Sequence, residues 1–166
     1  YSLYRIQISA TPGGHRFNVV GTVGKGIKES ARMAYDYLKA NTKKMGIDRD
    51  INSYDLNIQV MSLMQGKDAH DLGVAFYIGL ISAILSRPVA SGLVILGQMS
   101  IHGVLSRVEG LGDKIRIALD AGAKRVMLPT ENRRDFAELP AEIIDKLQID
   151  FYSDPMQATF KALAEI

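Results

Sequence analysis

Gly66-Lys67-Asp68-Ala69-His70-Asp71-Leu72-Gly73 and the apolar run behind it decide the reading of this chain. From Leu72 to Ser86 there is no charged residue. The apolar positions fall all round a 3.6-residue wheel, which predicts a helix buried on every side. The run is too short to span a bilayer, where about 20 residues are needed. The rest of the domain must therefore wrap this helix. Asp71 is a preferred capping residue and is expected to set the helix N-terminus. The macrodipole would favour an anion or a nucleophile there, so a functional site should lie near Asp71.

Composition narrows the class. At 166 residues, 47% hydrophobic and 23% charged, the chain fits one globular domain with a sizeable core. A net charge of +2 is too small to argue for nucleic acid or an anionic membrane by itself. There is no cysteine, which excludes disulfides, thiolate metal sites and a cysteine nucleophile. A cytoplasmic setting is compatible with that composition. No signal peptide, transmembrane segment or lipidation motif is visible, so no membrane partner is expected. The chain opens at Tyr1 without an initiator Met and reads as a fragment of a longer protein.

Outward from the central helix, strands and helices interleave, which predicts an α/β or α+β domain spanning 1–166. Leu3 to Ala10 alternates as a half-buried strand, Thr11-Pro12-Gly13-Gly14 signals a turn, and Arg16 to Val20 returns, so an opening hairpin is expected. Residues 26–45 form an amphipathic helix with Ile27, Ala31, Ala34 and Leu38 on one face. Its Lys28, Arg32, Lys39 and Lys43 read as a solvated surface, and Gly46 as its C-cap. Further strands are expected at Asp55–Met61, Leu93–Met99, Ser100–Leu105 with Gly103 as a turn or bulge, Arg125–Leu128 and Gln148–Tyr152. Helices are expected at Gly112–Gly122, Glu142–Leu147 and Pro155–Ala164, the last with Pro in its first turn.

Chemistry is sparse at the level of motifs. The three histidines, His15, His70 and His102, have no zinc-ligand spacing, so no metal site is expected. The glycines of 21–26 lack the P-loop pattern, and that pattern occurs nowhere else, so the chain carries no ATPase of its own. A Ser-His-Asp triad finds no local support, and Lys124-Arg125 and Arg133-Arg134 read as solvated surface.

Lys67 to Gly73 resembles the K-D-G-P-S-A-G signature of Lon-type proteolytic domains. The resemblance continues in register through Arg87-Pro88-Val89, Leu96–Gly103, Glu109–Lys114 and Leu128–Asp135, with Gly21–Gly24 and Glu29-Ser30 upstream. It implies a Lon-like fold, a mixed sheet around a buried central helix. In that family a serine nucleophile works with a lysine general base. The lysine falls on Lys114, 43 residues after the nucleophile position, but that position holds Asp71. The family's supporting threonine falls on Leu96, which has no hydroxyl.

A carboxylate beside Lys114 would favour its ammonium form and is a poor nucleophile towards peptides. An Asp71–Lys114 ion pair in place of the dyad is therefore expected. RadA-type recombination proteins and the Lon-like subunit of BREX phage-defence systems are similar relatives, the latter also around Asp150–Pro155. The resemblance implies a ring-forming homo-oligomer, with a hexamer as the family's pattern, whose ATPase module would use ATP and magnesium and act on DNA. The alternative is an ATP-dependent Ser-Lys peptidase with a relocated nucleophile, Ser62 or Ser100.

Overall fold

The computed structural model describes residues 3–21, 24–44, 46–47, 50–62 and 71–163. The elements fall into two mixed groups of strands and helices. The first holds β1 (Tyr4–Pro12), β2 (Phe17–Val20), α1 (Lys25–Asn41), β3 (Tyr54–Ser62) and α2 (Gly73–Leu85). The second holds β4 (Leu93–Ile95), the short pair β5 (Gln98–Met99) and β6 (Leu105–Ser106), α3 (Leu111–Asp120) and β7 (Arg125–Pro129). It continues with α4 (Arg133–Phe136), α5 (Ala141–Lys146) and β8 (Gln148–Tyr152), and α6 (Pro155–Ala162) returns to α2.

The alternation in β1 is real: Tyr4, Ile6, Ile8 and Ala10 pack on the core while Arg5, Gln7 and Ser9 face solvent. The expected hairpin is not. β3 lies between β1 and β2, antiparallel to the first and parallel to the second. The cause is remote in sequence. The Asp55 carboxylate accepts the amides of Gly14 and Arg16, both at 3.0 Å, and Gly13 N–H donates to Ser53 O. These bonds carry the chain over the end of β3 instead of turning it straight back.

In α1 the expected face is buried, with Ile27, Ala31, Ala34 and Leu38 almost fully enclosed. The helix proper ends at Asn41, and a further turn closes on Gly46. Gly46, at φ +68°, sits where Ile47 N–H reaches Thr42 O and its own N–H reaches Lys43 O, the paired bonds of a Schellman stop.

Helix α2 is enclosed as its composition requires. Val74, Phe76, Tyr77, Ile78 and Leu80 have no solvent-exposed surface. It packs on β1, α1 and α6, and Gly79 permits the close approach, since a Cβ there would stand 2.7 Å from Ile8 Cδ1. The second core lies between the parallel sheet β4-β7-β8 and helices α3 and α5. Beyond Arg125, its central strand β7 is apolar and covered on both faces, with Val126 and Leu128 in this core and Met127 in the first.

Leu93–Met99 is two strands, not one. Gly97 adopts φ +149°, which breaks the run into β4 and β5. Ser100–Leu105 is mainly the tight turn joining β5 to β6, with Gly103 at φ +80° inside it. Gln148–Tyr152 matches its expected bounds, and Asp154 caps α6 ahead of Pro155 by accepting Gln157 N–H at 2.7 Å. The short helices at 130–136 lack the length to show a period, so the sequence pattern gives no sign of them.

Candidate functional site

Asp71 stands two residues before α2. It does not cap the helix: Leu72 holds the N-cap position, and no side chain caps this end. The Asp71 carboxylate instead accepts from Lys114 Nζ in an ion pair. Lys114 lies in the first turn of α3, which opens on Gly110 at φ +63°. The pair is largely enclosed, with side-chain exposures of 17% for Lys114 and 23% for Asp71. Both residues singled out in the sequence are thus brought into direct contact across 43 positions.

Backbone bonds hold Asp71 in place. Its carbonyl accepts Gly97 N–H at 3.1 Å, and Gly97 O accepts Val74 N–H at 3.2 Å. The corner between β4 and β5 is therefore stitched to the start of α2. Tyr152, fully buried at the end of β8, donates its hydroxyl to Leu96 O and fixes that corner from below. A side chain at position 97 would collide with this hydroxyl. Burial, then the nearby Glu131 and Asp71 carboxylates, push the Tyr152 hydroxyl well above the ordinary tyrosine range, so it stays a donor.

Leu96 turns its side chain into the second core, among the partly buried residues packed there. It brings no hydroxyl to the site. Gln98 bridges outward, donating to the buried Ser30 hydroxyl at 2.7 Å and accepting Met99 N–H at 3.1 Å. Ser30 and Gln98 therefore tie α1 to the strand that follows the corner.

The turn before α3 has its own anchor. Arg107 forms two bonds to Asp135, Nε to Oδ2 at 3.0 Å and Nη2 to Oδ1 at 2.5 Å. Asn132, fully buried, both accepts Val108 N–H and donates to Val108 O at 2.9 Å, and donates to Asp135 Oδ2 at 3.0 Å. The paired Arg107 guanidinium holds the Asp135 carboxyl below the usual carboxylate range, with the Asn132 amide acting in the same direction. A groove of about 310 Å³ runs beside this network and the start of α3. The sequence marks Asn132 and Asp135 only as part of a segment. Their i, i+3 spacing is the available signal, but Arg107 is 28 positions away from Asp135 and gives none.

The remaining candidates are scattered. Ser100 Oγ accepts the amides of His102 and Val104 inside its turn, and Ser62 ends β3. His15 contacts Tyr35 and Lys39 on α1, His102 is exposed in the β5–β6 turn, and His70 lies outside the described residues. So do 66–69 of the leading motif and residues 22–23. Among the described residues no three His, Asp or Glu side chains converge as metal ligands would. No helix among them is long and apolar enough to cross a membrane.

Comparison with known proteins places this geometry. The Lon protease (S16) C-terminal proteolytic domain matches residues 2–165. A Lon-like protease BrxL from Escherichia coli O9:H4 (strain HS) is 34% identical over 162 residues, covering 97% of this chain and 23% of that protein. Lon protease 1 of Thermus thermophilus is 33% identical over 92% of this chain and 19% of its own length. A second Lon-like protease BrxL, from Bacillus cereus, is 31% identical over 96% of this chain and 24% of that protein. The chain spans about a fifth to a quarter of the length of these curated relatives.

Proposed function

Because the chain belongs to the Lon protease (S16) C-terminal proteolytic domain family, we propose that it is a non-cleaving member of it. In this reading the peptide-cutting dyad has become an ion pair, and the domain serves the assembly and DNA-linked work of a longer ATP-driven protein. The observation that carries it is the contact between Asp71 and Lys114. Lys114 Nζ is committed as a donor to this carboxylate, and the nucleophile position offers no hydroxyl whose proton a base could take. Asp71 puts an acceptor where the family's serine would attack, and Leu96, packed into the second core, has no hydroxyl to offer the lysine.

The longer protein would place an ATPase module, with its ATP and magnesium, ahead of this domain and close into a homo-oligomeric ring of six subunits. A ring needs one heterologous interface that closes by rotation. Two relatives named Lon-like protease BrxL support the Lon-like part of this reading, and a cytoplasmic phage-defence role for the assembly belongs to the proposal.

That these relatives are named proteases favours the rival reading of a peptidase with its serine elsewhere. Ser100 serves that reading poorly, because its hydroxyl is occupied by two turn amides. Incubating the chain with an unfolded, fluorescently quenched protein substrate decides between the two. No cleavage is expected, and Asp71→Ser alone is expected to restore little. Cleavage by the unmodified chain that disappears in Lys114→Ala would overturn the proposal.

A further inference from the structure

Charge is unevenly spread. Residues 25–44 carry six lysines and arginines against two carboxylates, whereas the whole chain carries twenty against eighteen. The remainder is therefore net acidic, and the positive potential concentrates on α1 and its final turn. Lys28, Arg32 and Lys39 lie on one stripe of α1, about a third of a turn from the buried Ile27–Leu38 face, and Lys43 follows in the turn just beyond the helix. All four are exposed.

Sequence alone reads this stripe as ordinary solvated surface; the structure adds what lies beneath and beside it. Tyr35, buried under the stripe, has the Arg32 guanidinium 5.5 Å and the Lys39 ammonium 5.4 Å from its ring centroid. Arg32 also stands 5.7 Å over Phe17. His15, held at φ +70° in the β1–β2 connection, brings Nδ1 to Tyr35 Oη at 3.1 Å and Nε2 to Lys39 Nζ at 3.5 Å. The nearby carboxylates are already engaged: Asp36 pairs with Arg32 at 3.3 Å, Glu29 with Lys25, and Asp55 with the amides of Gly14 and Arg16. Among the described residues no carboxylate pairs with Lys39, which meets the His15 ring instead. An incoming anion would supply the missing partner.

We propose that this stripe, Lys28, Arg32, Lys39 and Lys43 with His15 beside it, is a docking surface for a nucleic-acid phosphate backbone. The proposal rests on the DNA-linked part of the proposed function and names the surface that serves it. The step from Lys28 to Lys39 rises about 16 Å, the axial span of about five phosphates along one strand of a duplex. Cations held over aromatic rings are ordered in advance, so less side-chain freedom is lost on contact. A lipid surface fits less well. Among the described residues the exposed large apolar ones are Val20, Val89, Ile101, Val104 and Phe160, and none of these lies on α1 to insert beside the stripe.

The test is fluorescence anisotropy of the 166-residue chain with labelled duplex and single-stranded DNA of about 20 nucleotides, titrated from about 50 to 200 mM salt. Four phosphate contacts predict that affinity falls about a hundredfold over that range. Lys28→Glu with Lys39→Glu should weaken binding at least about tenfold and lower the log–log salt slope by about two units. Arg134→Glu with Lys146→Glu makes the same change of net charge elsewhere and should leave both near the wild-type values. Circular dichroism checks that both variants are folded, and Lys28→Ala with Lys39→Ala replaces the reversal if it is not. Equal losses from both pairs would overturn the surface while leaving a DNA-linked role standing. Tighter binding of polyglutamate than of DNA would overturn the occupant. No DNA binding at the lowest salt would overturn the surface and the DNA-linked role for this domain, while the non-cleaving reading would still stand on its own cleavage assay.

Discussion

The Asp71–Lys114 contact can be measured as a coupling energy. At contact distance and an effective dielectric of about 20, two unit charges attract by about 4 kcal/mol. Desolvation opposes this, at several kcal/mol per ion when burial is complete. Here each side chain keeps roughly a fifth of its surface, 17% and 23%, so the opposing cost is partial. The net coupling should be about 1–2 kcal/mol, above the 0.2–1 kcal/mol typical of exposed pairs. Urea unfolding of the wild type, Asp71→Asn, Lys114→Met and the double variant closes the thermodynamic cycle. Lys114→Met alone should cost more than the coupling suggests, because it strands a largely enclosed carboxylate, and Asp71→Asn added to it should recover part of the loss. Strictly additive single effects, with coupling below about 0.5 kcal/mol, would show that the two charges are not engaged. The ion pair would then not be what replaces the dyad, and the non-cleaving reading would rest on the missing hydroxyls at positions 71 and 96 alone.

Tyr152→Phe removes the hydroxyl that donates to Leu96 O in a fully buried site and should cost about 1–3 kcal/mol in urea unfolding, since the carbonyl is left without that donor. Leu80→Ala, in the fully enclosed face of α2, should cost about 2–5 kcal/mol and lower Tm by about 5–15 °C in calorimetry. Asp135 has its folded value held below the unfolded one of about 3.9 by the Arg107 pair, so its contribution is complete above that pH and is lost as pH falls through the lowered folded value. Stability measured against pH below about 4 should therefore fall less steeply in Asp135→Asn than in the wild type, and an unchanged slope would refute the assignment.

The features legible in the sequence are those whose cause is local. Alternation in β1, the apolar wheel of α2, the Gly46 stop and the Asp154-Pro155 start depend on residues within one turn or one strand of each other. The features that sequence misreads depend on distant partners. Thr11–Gly14 carries genuine turn chemistry, yet Asp55, 41 positions from Gly14, converts the turn into a crossing over β3. Gly97 lies in an apolar run that reads as one strand, and its break is enforced by Tyr152, whose hydroxyl reaches the neighbouring carbonyl across 56 positions. Asp71 reads as a cap because its type favours that role, but a cation 43 positions away takes its carboxylate first. At the site, the identities of Asp71 and Lys114 come from resemblance to a family motif, and spacing alone gives no sign of their contact.

This arrangement bears on why a single reversion should not rebuild a peptidase. Four elements converge on the pair: the approach to α2 carries Asp71, the β4–β5 corner holds its carbonyl, β8 locks the corner through Tyr152, and α3 delivers Lys114. That framework positions a carboxylate opposite an ammonium, and it is stabilised by doing so. Asp71→Ser would put a hydroxyl near Lys114 but would also remove the acceptor that neutralises the lysine's charge. The lysine would then need desolvation strong enough to shed its proton, and a neighbouring hydroxyl to orient it. Leu96 supplies its carbonyl to Tyr152 and its side chain to the second core, so position 96 cannot provide that hydroxyl without being replaced as well. A threonine there would exchange apolar packing for a polar group, which the core tolerates only if the hydroxyl reaches a partner. Recovering cleavage is therefore a problem of at least two coupled positions, and Asp71→Ser with Leu96→Thr should exceed Asp71→Ser in the quenched-substrate assay if Lys114 is the base that both serve.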